Sequence, residues 1–313
     1  MVKLRPEVVV IAAETDAWRG PVETLFSGKI ESLTLDPALP VPETLDRQAI
    51  RVMVASPHDA KVLAPYFPNL EWIQSTWAGV DSLAGQVPTS VSVTPLRGVF
   101  GQAMSEFVLG WILSLERNII ERANAKIWDA SHETGVRGKT MGILGTGSIG
   151  CAIAAAVKPL GIKCRGMNTS GSQTEGFARC FKSGDVQFFE GLDYCVSVLP
   201  KTEATNHILG EAAFAAMSDK AIVINIGRGN AVDDEALLRA LDTNTISTAV
   251  LDVFTTEPLP DFHRFWQHPR VHVTSHTAAP TAIDLVAIAM KDNFERYLAG
   301  DALEDLFVAS KGY

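Results

Sequence analysis

The chain has 313 residues, 47% of them hydrophobic and 20% charged. That length exceeds one typical core and suits two domains, and the composition suits a soluble globular protein with a filled interior. The net charge of −9 removes any general electrostatic case for nucleic acid or an anionic membrane as a partner, so an anionic ligand must be drawn by a local site.

The N-terminal run in "MVKLRPEVVVIAAETDAW" is short and flanked by Pro and acidic residues, which reads as a first strand and not as a signal peptide. No stretch approaches the roughly 18 apolar residues that a bilayer span requires. The four cysteines, Cys151, Cys164, Cys180 and Cys195, show neither C-x-x-C nor Cys–His ligand spacing, so reduced thiols, no metal and a cytoplasmic location are expected.

In chain order, "EVVVIAA", "RVMVAS" and "LEWIQST" have the length and β-branched content of buried parallel strands. The crossover helices between them are placed over "GPVETLFSG" and "HDAKVLAPYF". From Met104, apolar residues at Val108, Trp111, Ile112, Leu115 and Ile119 follow a helical period and predict one long helix running past Glu121. The segment "KTMGILGTGSIGCAIAAAVKPLGIKCRGMN" then reads as strand, glycine turn, helix and strand. Further strands fall on "LDYCVSVLP", "KAIVINIG", "STAVLDVF" and "VHVTSH", with a helix at "DEALLRALD". A final amphipathic helix covers "TAIDLVAIAMKDNFERYLAG". The class is α/β, built from parallel sheets.

Gly145, Gly147 and Gly150 form G-x-G-x-x-G between a strand and a helix, the context that makes this otherwise common pattern specific for a dinucleotide. The first glycine permits the turn, the second lets backbone approach a pyrophosphate, and the third lets helix and strand pack closely. About twenty residues on, an NAD site normally carries an Asp or Glu for the ribose hydroxyls. Here that place holds Asn168, followed by Thr169 and Ser170. An Asn removes the repulsion that a carboxylate offers a 2′-phosphate, and amide and hydroxyls can donate to it. NADP(H) is therefore favoured, with NAD(H) still accepted. No Arg or Lys follows immediately, and Arg165 lies earlier on the strand.

Arg228, Asp252, Glu257 and His276 all fall at or just beyond predicted strand ends, where open parallel sheets bind ligands. Each alone is commonplace; together, downstream of a nucleotide turn, they point to a catalytic site.

With "STWAGVDSL", "GVFGQAMSEFVLGWIL", "GKTMGILGTGSIG", "LPKTEATNHIL", "INIGRGNAVDDEALLRAL", "LDVFTTEPLP" and "FWQHPRVHVTSH", the chain resembles the D-isomer-specific 2-hydroxyacid dehydrogenases over nearly its full length. "EPLPDFHRFWQHPRV" is most similar to the glyoxylate/hydroxypyruvate reductase branch. The resemblance implies two Rossmann- or flavodoxin-like parallel-sheet domains with an active-site cleft between them. A discontinuous substrate domain would take 1–100 and 280–313, and a dinucleotide-binding domain 101–279. It implies an NAD(P)-dependent oxidoreductase reducing small 2-keto acids such as glyoxylate or hydroxypyruvate, and a homodimer.

In that family the residue matching Arg228 holds the substrate's carboxylate and carbonyl, that matching His276 is the general acid/base, and that matching Glu257 pairs with it. Backbone N–H groups of Trp77, Ala78, Gly79 and Val80 match the carboxylate loop, where Trp77 replaces smaller residues. The resemblance implies cofactor contacts from Thr146, Ser148 and Ile149 within the glycine turn. It adds Leu199, Pro200 and Thr205 after one strand, Ile226 and Gly227 with Arg228 after the next, and Asp252, His276 and Ala278. Asp252 matches the residue that orients the nicotinamide amide. Ser275 stands where the family usually has Pro before the histidine, which loosens the backbone there. The competing reading is a nucleotide-sensing, corepressor-like binding protein on the same scaffold; the absence of an added partner-binding extension speaks for the enzyme. Formate dehydrogenases are disfavoured because they carry Gln at the place of Glu257.

Overall fold

The computed structural model describes residues 8–12, 24, 31–128, 130, 135–281 and 283–308. The chain divides into two compact units, Met1–Val99 with Thr281–Tyr313, and Phe100–Pro280.

The first unit is a parallel sheet of β1 (Val8–Ala12), β2 (Glu31–Leu35), β3 (Ile50–Ala55), β4 (Trp72–Ser75) and β5 (Ser92–Thr94), in the order β2-β1-β3-β4-β5. This is the flavodoxin-like doubly wound order. The helix α1 (Pro57–Leu63) starts where Ser56 accepts a hydrogen bond from the Asp59 N–H and Pro57 takes the first turn, a placement that costs no hydrogen bond. Its buried face, Ala60 and Leu63, packs with Ile50, Met53, Phe67, Ile73 and Leu83. The predicted crossover helix over 20–28 lies outside the described residues except for Thr24, which is helical.

The second unit opens with α2 (Gly101–Glu116) and α3 (Ile119–Asn124). The single helix expected past Glu121 is therefore broken. Asn118 sits in the left-handed region at φ 45°, which Asn tolerates better than most residues, and the next helix restarts from it with Arg122 N–H donating to the Asn118 carbonyl. Then follow β6 (Thr140–Leu144), α4 (Ser148–Val157), β7 (Lys163–Asn168), β8 (Arg179–Lys182), β9 (Tyr194–Ser197), α5 (Glu211–Ala216), β10 (Ile222–Asn225), α6 (Asp234–Asp242), β11 (Thr248–Leu251) and β12 (Val271–Val273). The parallel sheet runs β12-β11-β10-β9-β6-β7-β8. The order reverses between β6 and β9, the switch point at which such sheets bind nucleotides.

Successive strand residues alternate between two cores. Cys195, Val223, Ala249 and Leu251 join the cluster of Phe181, Phe188, Phe214 and Leu237. Tyr194, Val196, Ile224 and Val250 join that of Ile112, Ile153 and Val157. Both faces are covered, which is why these strands read as unbroken apolar runs. In the first unit α7 (Ile283–Ala299) brings the Tyr297 ring within 5.5 Å of Trp72 and its hydroxyl to Glu71 at 2.6 Å. Among the described residues no helix is long and apolar enough to cross a membrane.

Candidate active site

The glycine turn joins β6 to α4. Gly145 has φ 104°, and a Cβ on Gly150 would lie 2.0 Å from the Gly145 carbonyl oxygen. A Cβ on Gly147, by contrast, would meet nothing within 4 Å. Gly147 is the N-cap of α4 and brings no side chain to its first N–H groups, so they face open space that a phosphate can enter. These are the features a pyrophosphate needs, and the residues fit one. Gly150→Ala should cost at least about 2 kcal/mol through overpacking and lower the melting temperature by roughly 5 °C; a thermal melt matching the parent would contradict the packing described here.

At the end of β7, Asn168 is bonded on both sides of its amide. Its amide Nδ2 donates to Thr146 Oγ1 at 3.0 Å and to the Ser172 carbonyl at 2.9 Å. Its Oδ1 accepts from the Gly171 N–H at 2.7 Å and from Ser170 Oγ at 3.2 Å. Both amide protons are committed within the protein, so Asn168 shapes the 169–172 loop and ties it to the glycine turn. Thr169 and Ser170 are exposed on that loop. Arg165 turns away to the Glu190 carbonyl at 2.8 Å.

The loops after β9, β10 and β11 meet with almost no spare room. A Cβ on Gly227 would lie 2.6 Å from the backbone of Leu199, and one on Gly229 would lie 1.9 Å from the Phe254 carbonyl carbon. Only glycines allow this approach, and they place half-buried Arg228 between them, its Nη1 donating to the Gly227 carbonyl at 2.8 Å. Thr205, buried, gives its hydroxyl proton to the carbonyls of Pro200 and Thr202, at 2.8 and 3.0 Å, and so braces the 200–205 turn. Ile226 and Ala278 are buried in the core beneath.

His276 and Glu257 come together, with Nδ1 of the imidazole 2.8 Å from Oε2 of the carboxylate. Oε1 accepts the Phe254 N–H at 2.8 Å, so the carboxylate is held at both oxygens. Burial pushes the Glu257 carboxyl up, but the hydrogen bonds from His276 and Phe254, with the charges of His276 and Arg228, outweigh it and hold the group below its ordinary value. It stays ionised near neutral pH.

Asp252 does something the sequence did not suggest. It is 1% exposed, and its carboxylate accepts from Thr274 Oγ1 at 2.6 Å, Thr277 N–H at 2.8 Å and Ala278 N–H at 3.0 Å. Its carbonyl accepts the His276 N–H at 2.8 Å. His276 is left-handed at φ 55°, an unfavourable state for such a residue unless its surroundings enforce it. Asp252 enforces it. Asp252 thus positions the histidine segment, and the constraint missing at Ser275 is supplied here.

In the first unit, the loop after β4 holds Trp77 to Val80. The Trp77 N–H is already donated to Ser75 Oγ at 3.0 Å, which removes it from the expected cradle. Among the described residues the N–H groups of Ala78, Gly79 and Val80 have no acceptor. The loop rests on a buried chain in which Trp72 Nε1 donates to Thr94 Oγ1 at 2.9 Å and Thr94 Oγ1 donates to Gln74 Oε1 at 2.8 Å.

A parallel nucleotide-binding sheet whose strand ends carry an imidazole–carboxylate pair and a guanidinium defines an NAD(P)-dependent oxidoreductase. The family model for the NAD-binding domain of D-isomer-specific 2-hydroxyacid dehydrogenases matches residues 109–278. A glyoxylate/hydroxypyruvate reductase A from Serratia proteamaculans is 32% identical over 236 residues, 70% of this chain and 75% of that one. A D-isomer-specific 2-hydroxyacid dehydrogenase family protein from Aeromonas salmonicida superposes with a TM-score of 0.89 at 33% identity, covering 97% of this chain and 99% of that one. An NADPH-dependent glyoxylate/hydroxypyruvate reductase from Sinorhizobium meliloti, solved with NADP and sulfate, gives 0.85 at 28%, covering 98% and 100%. The chain belongs to the D-isomer-specific 2-hydroxyacid dehydrogenases, and within them it sides with the glyoxylate/hydroxypyruvate reductases.

Proposed function

We propose that the protein is an NADPH-preferring reductase of small 2-keto acids such as glyoxylate or hydroxypyruvate. The observation that carries this reading is the His276 Nδ1–Glu257 Oε2 pair at 2.8 Å, set on a nucleotide-binding sheet beside Arg228. The NADP found in the Sinorhizobium reductase and the non-acidic residue at position 168 support the cofactor preference. The family match and the reductase relatives favour an enzyme over a nucleotide-sensing binding protein.

When bound, the reduced nicotinamide supplies the hydride that the carbonyl carbon requires. Arg228 holds the carboxylate and carbonyl oxygen in one planar fork and polarises the carbonyl. Glu257 engages Nδ1, so the opposite ring nitrogen, Nε2, delivers the proton to the carbonyl oxygen. Asp252 holds the backbone that carries that ring.

NADPH oxidation over a panel of 2-keto acids of increasing size tests the reading. Glyoxylate and hydroxypyruvate should lead, and turnover confined to bulky keto acids, or absent throughout, would overturn it. The reading includes a homodimer, for which the exposed apolar side chains of Ile119, Ile120, Ile127 and Trp128 offer a surface; sedimentation velocity should find a dimer for the parent and a monomer for Trp128→Glu, and a monomeric parent would overturn it.

Glu257→Gln removes the ionised carboxylate that engages Nδ1 of the imidazole, so kcat for keto-acid reduction should fall by about tenfold or more, the size of one charge-assisted hydrogen bond. A kcat equal to the parent's would count against the pairing as a catalytic device.

A further inference from the structure

We propose that Lys182 is the cation that receives the 2′-phosphate of NADP, on a loop that Asn168 builds without touching the phosphate itself. This rests on the proposed cofactor site at the glycine turn. Without a cation the 169–172 loop offers only hydroxyl and backbone donors, a weak counterweight to a group carrying nearly two negative charges.

The strand register supplies the missing charge. Asn168 and Lys182 are direct partners across β7 and β8, and the Asn168 carbonyl accepts the Ser183 N–H at 2.9 Å. Gly171, at φ 75°, folds the loop back onto Lys182, so close that a Cβ there would lie 3.1 Å from the Lys182 nitrogen and 3.2 Å from its Cβ.

The face is also the right one. Strand side chains alternate. Phe181 lies in the core of Phe188 and Met167, and Arg179 stacks over the Phe181 ring at 4.3 Å. Cys180 lies on the opposite face, where a Cβ on Gly166 would meet both Cys180 Sγ, at 3.1 Å, and Thr146 Cγ2, at 2.5 Å. Two residues on, Lys182 emerges on the face of Cys180, the face that carries Thr146 of the glycine turn. It is exposed, and among the described residues it makes no ion pair. Three N–H donors on a flexible stem beside two exposed hydroxyl residues make a receptor for a phosphate monoester.

The test measures binding, so it does not depend on turnover. Dissociation constants for NADPH, NADH and 2′,5′-ADP are taken by titration calorimetry on the purified enzyme. Lys182→Gln should weaken NADPH and 2′,5′-ADP about tenfold, the size of one charge-assisted hydrogen bond, and leave NADH within about twofold. Lys182→Arg should restore the preference. The salt dependence of NADPH binding should fall in Lys182→Gln, since one screened attraction is gone.

Gly147→Val separates this proposal from the site reading beneath it. Gly147 has φ −78° and open space around it, so the variant should fold while closing the phosphate approach to both cofactors. If Gly147→Val loses both and Lys182→Gln keeps the parental NADPH-to-NADH ratio, or weakens both equally, Lys182 is not the specificity residue. If Gly147→Val binds both like the parent, the cofactor site itself is misplaced.

Discussion

His276→Ala should lose about two to four orders of magnitude in turnover, the usual contribution of a positioned acid/base, while binding cofactor like the parent. The geometry explains why the loss is chemical. His276 is carried on a left-handed backbone held by four bonds to Asp252, and those bonds involve the backbone of 276–278 and the Thr274 hydroxyl, not the imidazole. Removing the ring leaves the loop anchored. Alanine tolerates the left-handed region less well than a residue with a polar side chain, so a modest fall in melting temperature is expected alongside. Single-turnover rates with saturating keto acid, paired with calorimetric binding of the cofactor, separate the two effects. A variant that turns over at the parental rate would remove His276 from the chemistry. Asp252→Asn offers a graded version. It keeps one acceptor but turns an amide N–H either toward the Ala278 N–H or toward the Thr274 and Thr277 donors, and it should lower kcat more than it raises KM.

Arg228→Lys should lose roughly 10- to 100-fold in kcat/KM for the keto acid, with both kcat and KM affected. The charge survives, but a lysine offers a point charge in place of two parallel donors, and losing one charge-assisted hydrogen bond corresponds to about that factor. The site magnifies the difference. Gly227 and Gly229 are pressed against Leu199 and Phe254 so tightly that neither admits a Cβ, and the Arg228 guanidinium is tethered to the Gly227 carbonyl at 2.8 Å. The residue therefore starts from a fixed backbone with part of its side chain already placed. A lysine there cannot recover the second contact by moving the loop. The charge of Arg228 also helps hold the Glu257 carboxyl down, and Lys preserves that effect, so the pH profile of Arg228→Lys should stay close to the parent's. Steady-state constants indistinguishable from the parent's would make Arg228 a loop residue without a function.

Much of the architecture was legible in the residue order. β3, β6, β9, β10 and β11 lie inside their sheets, bury both faces, and appear in the sequence as continuous apolar runs. The strands that went unread, β2, β5 and β8, are all at sheet edges. An edge strand buries less of itself, so its pattern is broken by polar residues such as the Glu, Ser and Thr of β2. The long helix was over-extended for a related reason. Apolar spacing continues through Ile119, but the backbone turns left-handed at Asn118, and periodicity carries no information about one residue's φ.

The glycine turn, Arg228, Glu257 and His276 were determined by the sequence itself, because each is a residue type whose chemistry is nearly irreplaceable at a strand end. What each neighbour does with its hydrogen bonds was decided only in three dimensions. Asn168 occupies the expected position yet gives one amide proton to its own loop and the other to Thr146 of the glycine turn. Asp252 spends its carboxylate on the histidine segment, and Trp77 gives its N–H to Ser75. Lys182 was invisible because its nearness to Asn168 is a matter of strand register, not of sequence distance. A donor or acceptor can be inventoried from the residue type, but its partner is set by which strand lies alongside, and only the folded sheet makes that choice.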